Sequence, residues 1–300
     1  RWEAEGKIRT LGTDGPRRFA VTRQEALLAL GQFVQHRLSW FGPFEDAALR
    51  DDWAMAHSLL SVPLNLGLLD PAEVVAAAVA AFQAGRAPLA SVEGFVRQVM
   101  GWRDYVWHLY WHFGEAYLGQ NQLGADHPVP DSWLHLEAAH LQSACLSHAM
   151  YRLHQTGWLH HIERLMILGN FALQRGLDPA QLNQWFINAF VDGTPWVMPA
   201  NVIGMSQYAD GGRMSSKPYL SGGAYINRMT NYCQGCRFDP AVRVGPRACP
   251  LTAGYWAFLE RHRTLLATNH RMAQPLAGLA RLSDLAQLVE QEKLRDIGRL

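Results

Sequence analysis

Lysine is nearly missing from this sequence. Among 300 residues it stands only at Lys7, Lys217 and Lys293, and arginine carries the rest of the positive charge. The net charge is +1, so nothing draws the chain as a whole toward a polyanion, and a nucleic-acid surface has to be a local patch. Charged residues make up 18% of the chain, against 49% hydrophobic and 11% aromatic; that excludes general disorder and supplies a sizeable core. No apolar run reaches the length of a membrane span, and the opening RWEAEGKIRT is no signal peptide. The expectation is a cytoplasmic protein with no membrane partner, acting as a monomer.

Strand signals are missing as well. There is no series of alternating segments, no βαβ pattern, no internal repeat and no low-complexity tract. What is there reads as helix, so the fold class is all-α. Thr22 with Glu25 forms a capping box opening TRQEALLALGQFVQHRL. Asp70-Pro71 opens PAEVVAAAVAAFQAG, with proline in the first turn. Further helical runs are VEGFVRQVMGWRDYVWHLYWHF, HLEAAHLQSACLSHAMYRLHQ, WLHHIERLMILGNFALQRG, AQLNQWFINAF and the stretch from Leu251 onward. The exception is 191–247, where Gly, Pro, Ser, Asn and Asp cluster; a long irregular segment inside a helical domain usually holds a ligand or a function. Residues 1–20, with Gly12, Gly15 and Pro16, read as a linker, and 21–300 as one helical domain.

Cysteine is scarce: Cys145, Cys233, Cys236 and Cys249. In a cytoplasmic chain of this size structural disulfides are not expected, and the three clustered residues suit a metal. Cys233 and Cys236 form a C-x2-C clamp, Cys249 returns after twelve residues, and Cys145 is the one cysteine left as a fourth ligand. Four thiolates suit tetrahedral zinc or an iron–sulfur cluster, and spacing does not choose between them. Lys217, Tyr219, Tyr225 and Arg228, with Arg213, cluster in the irregular segment. Aromatics there can stack on a flipped base while cations bind phosphate, which makes the segment a candidate nucleic-acid face.

Long stretches resemble the bacterial iron–sulfur photolyases and cryptochromes: HSLLSVPLNLGLLDP, VEGFVRQVMGWRDYVWHLYW, HHIERLMILGNFAL and GMSQYADGGRMSSKPYLSGGAYINRMTNYCQGCRFDP, from about Phe41 to Arg271. The resemblance implies the C-terminal FAD-binding helical domain of that family. It also implies a 4Fe–4S cluster on Cys145, Cys233, Cys236 and Cys249. The N-terminal α/β domain that holds a lumazine antenna in the family has no candidate here, so lumazine is expected only where that domain exists.

The same resemblance assigns roles. Arg164 is implied to sit near the flavin ring and pair with Asp192, with Asn201 beyond. Ser58 and Ser61 match the phosphate side, and Asn65, Trp102, Arg103 and Asn170 match other pocket segments. His57 reads as packing. His160 and His161 match the family's histidine pair, the second being the candidate proton donor in repair. Trp185 matches the flavin-proximal electron donor. Phe186 follows where some relatives have tyrosine, and the outer tryptophan falls at about Glu137, with Trp133 close by.

The implied activity is light-driven electron transfer from reduced FAD to (6-4) pyrimidine photoproducts, with UV-damaged DNA as the implied partner. Alternatives are a blue-light-sensing cryptochrome of the same fold, a non-catalytic cluster-containing nucleic-acid-binding protein, and a zinc-dependent helical protein.

Overall fold

The computed structural model describes residues 5, 6, 10–13 and 15–300. The linker expected over 1–20 therefore falls partly outside the described residues, at 1–4, 7–9 and 14.

The first helix shows how local chemistry opens an element. The Thr22 hydroxyl accepts from Glu25 N and the Glu25 carboxylate accepts from Thr22 N, so α1 (Arg23–His36) starts on a capping box. Ala26, Leu30 and Phe33 form its buried face, which joins one apolar cluster with Leu38 and Phe41 of α2 (Leu38–Phe44). After α3 (Ser61–Asn65), α4 (Pro71–Gln83) repeats the device: Asp70 accepts from Ala72 N and Glu73 accepts from Asp70 N. Pro71 costs nothing there, because the first-turn N–H has no partner within the helix. α5 (Leu89–Val96) lies close along α2, where Gly42 N donates to Ser91 Oγ at 3.0 Å and a side chain at Gly42 would meet the Ser91 backbone. Phe33, Phe41 and Phe95 close this first core.

α5 does not stop at Val96. It continues through a π-helical turn at Arg97–Trp102 into α6 (Arg103–Phe113). A second, larger core gathers α7 (Asp131–Leu134), α8 (Ala144–Thr156) and a run whose middle is π-helical (Glu163–Gly169) and whose end is α9 (Asn170–Arg175). It also takes in α10 (Pro179–Ala189), a third π-helical stretch (Ala200–Ser206) and α11 (Gly223–Met229). α12 (Pro250–Arg261), α13 (Arg263–Leu266) and α14 (Ala273–Leu279) enclose a small third cluster around Phe258 and Leu266, and α15 (Leu285–Lys293) packs on α12.

The all-α reading holds: among the described residues β structure is confined to isolated bridges at Ala48–Thr230, His127–Leu177 and Asp239–Ala248. Two helix expectations need correction. The run expected over 135–155 begins only at Ala144, because Leu136 takes a left-handed backbone (φ 55°) and a 3-10 turn occupies Ala138–His140. The stretch from Leu251 breaks into several helices. No helix among the described residues is long and apolar enough to cross a membrane.

The last residues return to the second core. Ser132 Oγ donates to Gly298 O at 3.1 Å, Gln142 N to Arg299 O at 3.0 Å and Ser143 N to Leu300 O at 2.7 Å, just ahead of Cys145.

Candidate functional site

Three imidazoles meet at the start of the run that carries the second π-helical stretch. The His57 and His160 ring centroids are 3.6 Å apart, and those of His160 and His161 are 4.2 Å apart. Ile162 N donates to His160 Nδ1, so the proton sits on Nε2, which donates to Glu45 O at 2.7 Å. Burial, then the neighbouring rings of His161 and His57, hold His160 well below the ordinary histidine range. Burial, then His161, pushes His57 down to about 4. His161 stays exposed, with Nε2 3.1 Å from Asp46 Oδ1, and that hydrogen bond holds the Asp46 carboxyl below its usual range. Burial raises Tyr225, and the Asp46 charge adds to the rise, which sets α11 within electrostatic range of this corner. Beneath it, Glu163 Oε2 accepts from His160 N at 3.1 Å. Its Oε1 accepts from Arg152 at 3.1 Å and from Tyr232 at 2.5 Å, so a fully buried ionic knot fixes the helix start. His57, which reads as packing in the sequence, is part of the corner. Asp46 and Glu45, about 115 residues from their partners, carry no local sequence signal.

One helical turn further on, Arg164 grips Asp192 with both guanidinium nitrogens, at 2.8 and 3.0 Å. Its Nε donates to Leu159 O and its guanidinium lies 4.3 Å from the Phe190 centroid. Asn65 Nδ2 donates to Asp192 O at 3.3 Å, tying α3 to the same loop. Buried polar atoms with no protein partner lie on the neighbouring elements: Ser61 Oγ on α3, Thr194 Oγ1 two residues past Asp192 in the same loop, and Arg103 Nε on α6. The Arg103 guanidinium lies 5.0 Å from the centroid of Trp196 in that same loop. Trp102 is half-buried, its ring against Tyr105. Ser58 Oγ accepts from Leu60 N, and Asn201 Nδ2 donates to Val197 O at 2.8 Å. Asn170 stands apart: fully buried, it spends its amide on Ser221 and Gln174.

Trp185 is buried, and its Nε1 donates to Trp133 O at 2.9 Å. The two indole centroids are 5.1 Å apart, and Phe190, 6.0 Å from Trp185, leads on to Arg164. Glu137, in contrast, is exposed and paired with His140. Phe186 stacks on Phe190 at 5.1 Å.

On the irregular segment, Arg228 lies over Tyr225 at 5.5 Å, both on α11, while Lys217 and Tyr219 are exposed in the preceding loop. Arg213 lies over Phe113 instead, 4.4 Å away.

The four cysteines all border the second core, within electrostatic range of one another: Cys145 in the first turn of α8, Cys233 and Cys236 in a turn, Cys249 at the N-cap position of α12. Burial pushes the Cys145 thiol up to about 12 and that of Cys233 up to about 11, and each thiol's neighbours in the set add to the rise. No group of three or more His, Cys, Asp or Glu among the described residues lies close enough to hold one metal ion. A tetrahedral zinc needs sulfurs about 3.8 Å apart, from a Zn–S bond of roughly 2.3 Å. The single-ion closure that the spacing allowed is therefore not found.

The chain is 45% identical over 279 residues to a (6-4) photolyase of Agrobacterium fabrum, covering 93% of this chain and 53% of that protein. A stretch of 66 residues, 22% of this chain, is 38% identical to an uncharacterized protein of Acanthamoeba polyphaga mimivirus, of which it covers 54%. The chain thus spans about half the length of the curated relatives it matches. In fold it is similar to a bacterial class III photolyase crystal structure from Agrobacterium tumefaciens, with a TM-score of 0.57 and 18% identity over 82% of this chain and 56% of that one. No family model matches the chain.

Proposed function

We propose that the chain is a member of the photolyase and cryptochrome family and that it performs light-driven DNA repair, by electron transfer from reduced FAD to (6-4) pyrimidine photoproducts. The observation that carries this is the bidentate Arg164–Asp192 pair, with Asn65 of α3 on Asp192 O and with Ser61 Oγ of α3, Arg103 Nε of α6 and Thr194 Oγ1 of the Asp192 loop left as buried polar atoms without partners. Such atoms cost free energy unless a ligand satisfies them, so a polar cofactor fits here.

FAD, when bound, supplies the light-driven one-electron chemistry. Ser58 and Ser61 would hold its pyrophosphate. Asn65, Trp102, Arg103, Arg164, Asp192 and Asn201 would line its body, and Asn170 would act through the Ser221 loop. Trp185, with Trp133 against it, is the proposed electron-transfer residue. His161 is the proposed proton donor: Asp46 occupies Nε2, which leaves Nδ1–H of the imidazolium to give to the lesion. His160, held neutral, orients it. Tyr219 and Tyr225 would stack a flipped base, and Lys217 and Arg228 would bind the flanking phosphates. Cys145, Cys233, Cys236 and Cys249 would hold a 4Fe–4S cluster, whose iron atoms accept thiolates set further apart than one zinc ion allows. Residues 21–300 would act as one unit, as a monomer.

The test is repair of a synthetic (6-4) duplex under blue light with reductant, by wild type and by His161→Ala, with iron and acid-labile sulfide measured on the same sample. Wild type should repair and His161→Ala should not, while both keep FAD. Equal repair removes His161 from the chemistry. No repair by either, with normal light-driven flavin reduction, favours the signalling reading. A preparation without flavin overturns the proposal, and zinc in place of iron overturns the cluster.

A further inference from the structure

A cavity of about 310 Å³ lies well away from the histidine corner. The helical run that starts at His161 reaches it at the other end, about 20 Å away at 1.5 Å per residue. Arg175 comes to its wall from the end of α9, His127 from the loop before α7, Gln207 from the end of the third π-helical stretch, and Arg261 and His262 from the end of α12. Leu123 and Leu173 add an apolar side, and no carboxylate lines it.

The two arginines differ. Arg175 is buried; its Nη1 pairs with Glu292 at 2.6 Å, its Nη2 donates to Pro250 O at 2.9 Å, and its Nε has no partner. Arg261 keeps part of its surface in solvent, although burial and then the Arg175 charge lower it from the ordinary arginine range, and it forms no ion pair with a carboxylate among the described residues. Its Nη2 donates to Gln174 O at 2.9 Å and its Nε to His262 Nε2 at 3.1 Å. His262 is therefore an acceptor and a neutral ring, which agrees with burial pushing it down to about 4. The His127 Nδ1–H is taken up by Arg175 O at 2.6 Å. The wall thus carries one cancelled guanidinium, one guanidinium without a carboxylate partner, the neutral His262 ring, the His127 ring and an apolar face.

We propose that this cavity is a second ligand site, separate from flavin and lesion, for an anion-bearing small molecule of nucleoside-monophosphate size, with Arg261 as the anion-binding group. A guanidinium without a carboxylate partner is suited to phosphate through paired N–H donors. The volume falls at the lower end of small-molecule sites, roughly 300–1,000 Å³, and no duplex enters such a space. The apolar face beside the charge calls for a body on the anion rather than a bare ion.

The experiment titrates uridine monophosphate into FAD-loaded protein and follows Tm and flavin absorbance. Inorganic phosphate and a ten-nucleotide single strand are run in parallel. The nucleotide should raise Tm saturably without displacing flavin, and more effectively than phosphate. Arg261→Gln should weaken it about tenfold or more, the worth of charge-assisted hydrogen bonds. His262→Phe, which removes the acceptor that orients Arg261 Nε, should weaken it as well, so the test survives misfolding of one variant. Three results overturn the proposal: unchanged affinity in both variants, no saturable shift in wild type, or phosphate as effective as the nucleotide. Tighter, Arg261-dependent binding of the single strand also overturns it and gives the cavity to a DNA backbone.

Discussion

The helices of the first core and the helical runs beyond them solve one problem in two ways. α1 and α4 open on capping boxes, bury residues at helical spacing and stay α-helical throughout. The later runs are interrupted by π-helical stretches at Arg97–Trp102, Glu163–Gly169 and Ala200–Ser206, and each carries a proposed site residue: Trp102, Arg164 and Asn201. A π turn inserts an extra residue, which rotates the side chains after it and weakens the backbone ladder. Leu59, between the two proposed phosphate-side serines, also takes a left-handed backbone, φ 58°, which a leucine adopts at a cost. The regular helices supply stability, and the irregular turns spend part of it to aim side chains at one place.

Arg164→Ala breaks that arrangement hardest. It leaves the Asp192 carboxylate buried without its cation, so stability should fall by about 3–5 kcal/mol in denaturant unfolding. Bound FAD should be lost in the same variant. A cost near zero with flavin retained would detach the pair from the site.

Acid comes next. Folded His57 and His160 refuse protons that the unfolded chain accepts, so between pH 6.5 and 4 the unfolded state holds more protons and stability falls as pH falls. His57, pushed down to about 4, contributes on the order of 3 kcal/mol to that loss. His57→Gln should flatten the pH dependence of unfolding. An unaltered slope in His57→Gln would mean that the ring is not held neutral by burial.

The smallest effect belongs to the regular half. Thr22→Ala removes a cap and should cost about 1 kcal/mol, with the flavin spectrum unchanged. A spectral change would mean that the two regions are coupled more tightly than their separate cores imply.

The regular half was readable because its signals are local: Thr22 with Glu25, and Asp70-Pro71 with Glu73, lie within one turn. The site half was readable only where a resemblance supplied the pairing, as for Arg164 and Asp192, which stand 28 residues apart. Asp46 against His161 and the Trp133 carbonyl against Trp185 come from chain crossings that no spacing encodes. The π-helical stretches leave no compositional mark, since one extra residue in a helical run alters periodicity less than ordinary sequence variation does. The helix boundary at Ala144 escaped for a related reason: the left-handed turn before it is a leucine, with no glycine to announce it.

The return of residues 298–300 to the start of α8 also sets an order of events at the ribosome. Ser132 finds its partner at Gly298, 166 residues later, and Gln142 and Ser143 wait for Arg299 and Leu300. Synthesis runs from N to C, so the segment bearing Cys145 leaves the exit tunnel long before the strands of backbone that pin it. Cys233, Cys236 and Cys249 are also made before that clasp. The four thiols therefore gain their final frame only once residues 298–300 have left the exit tunnel and docked on the start of α8.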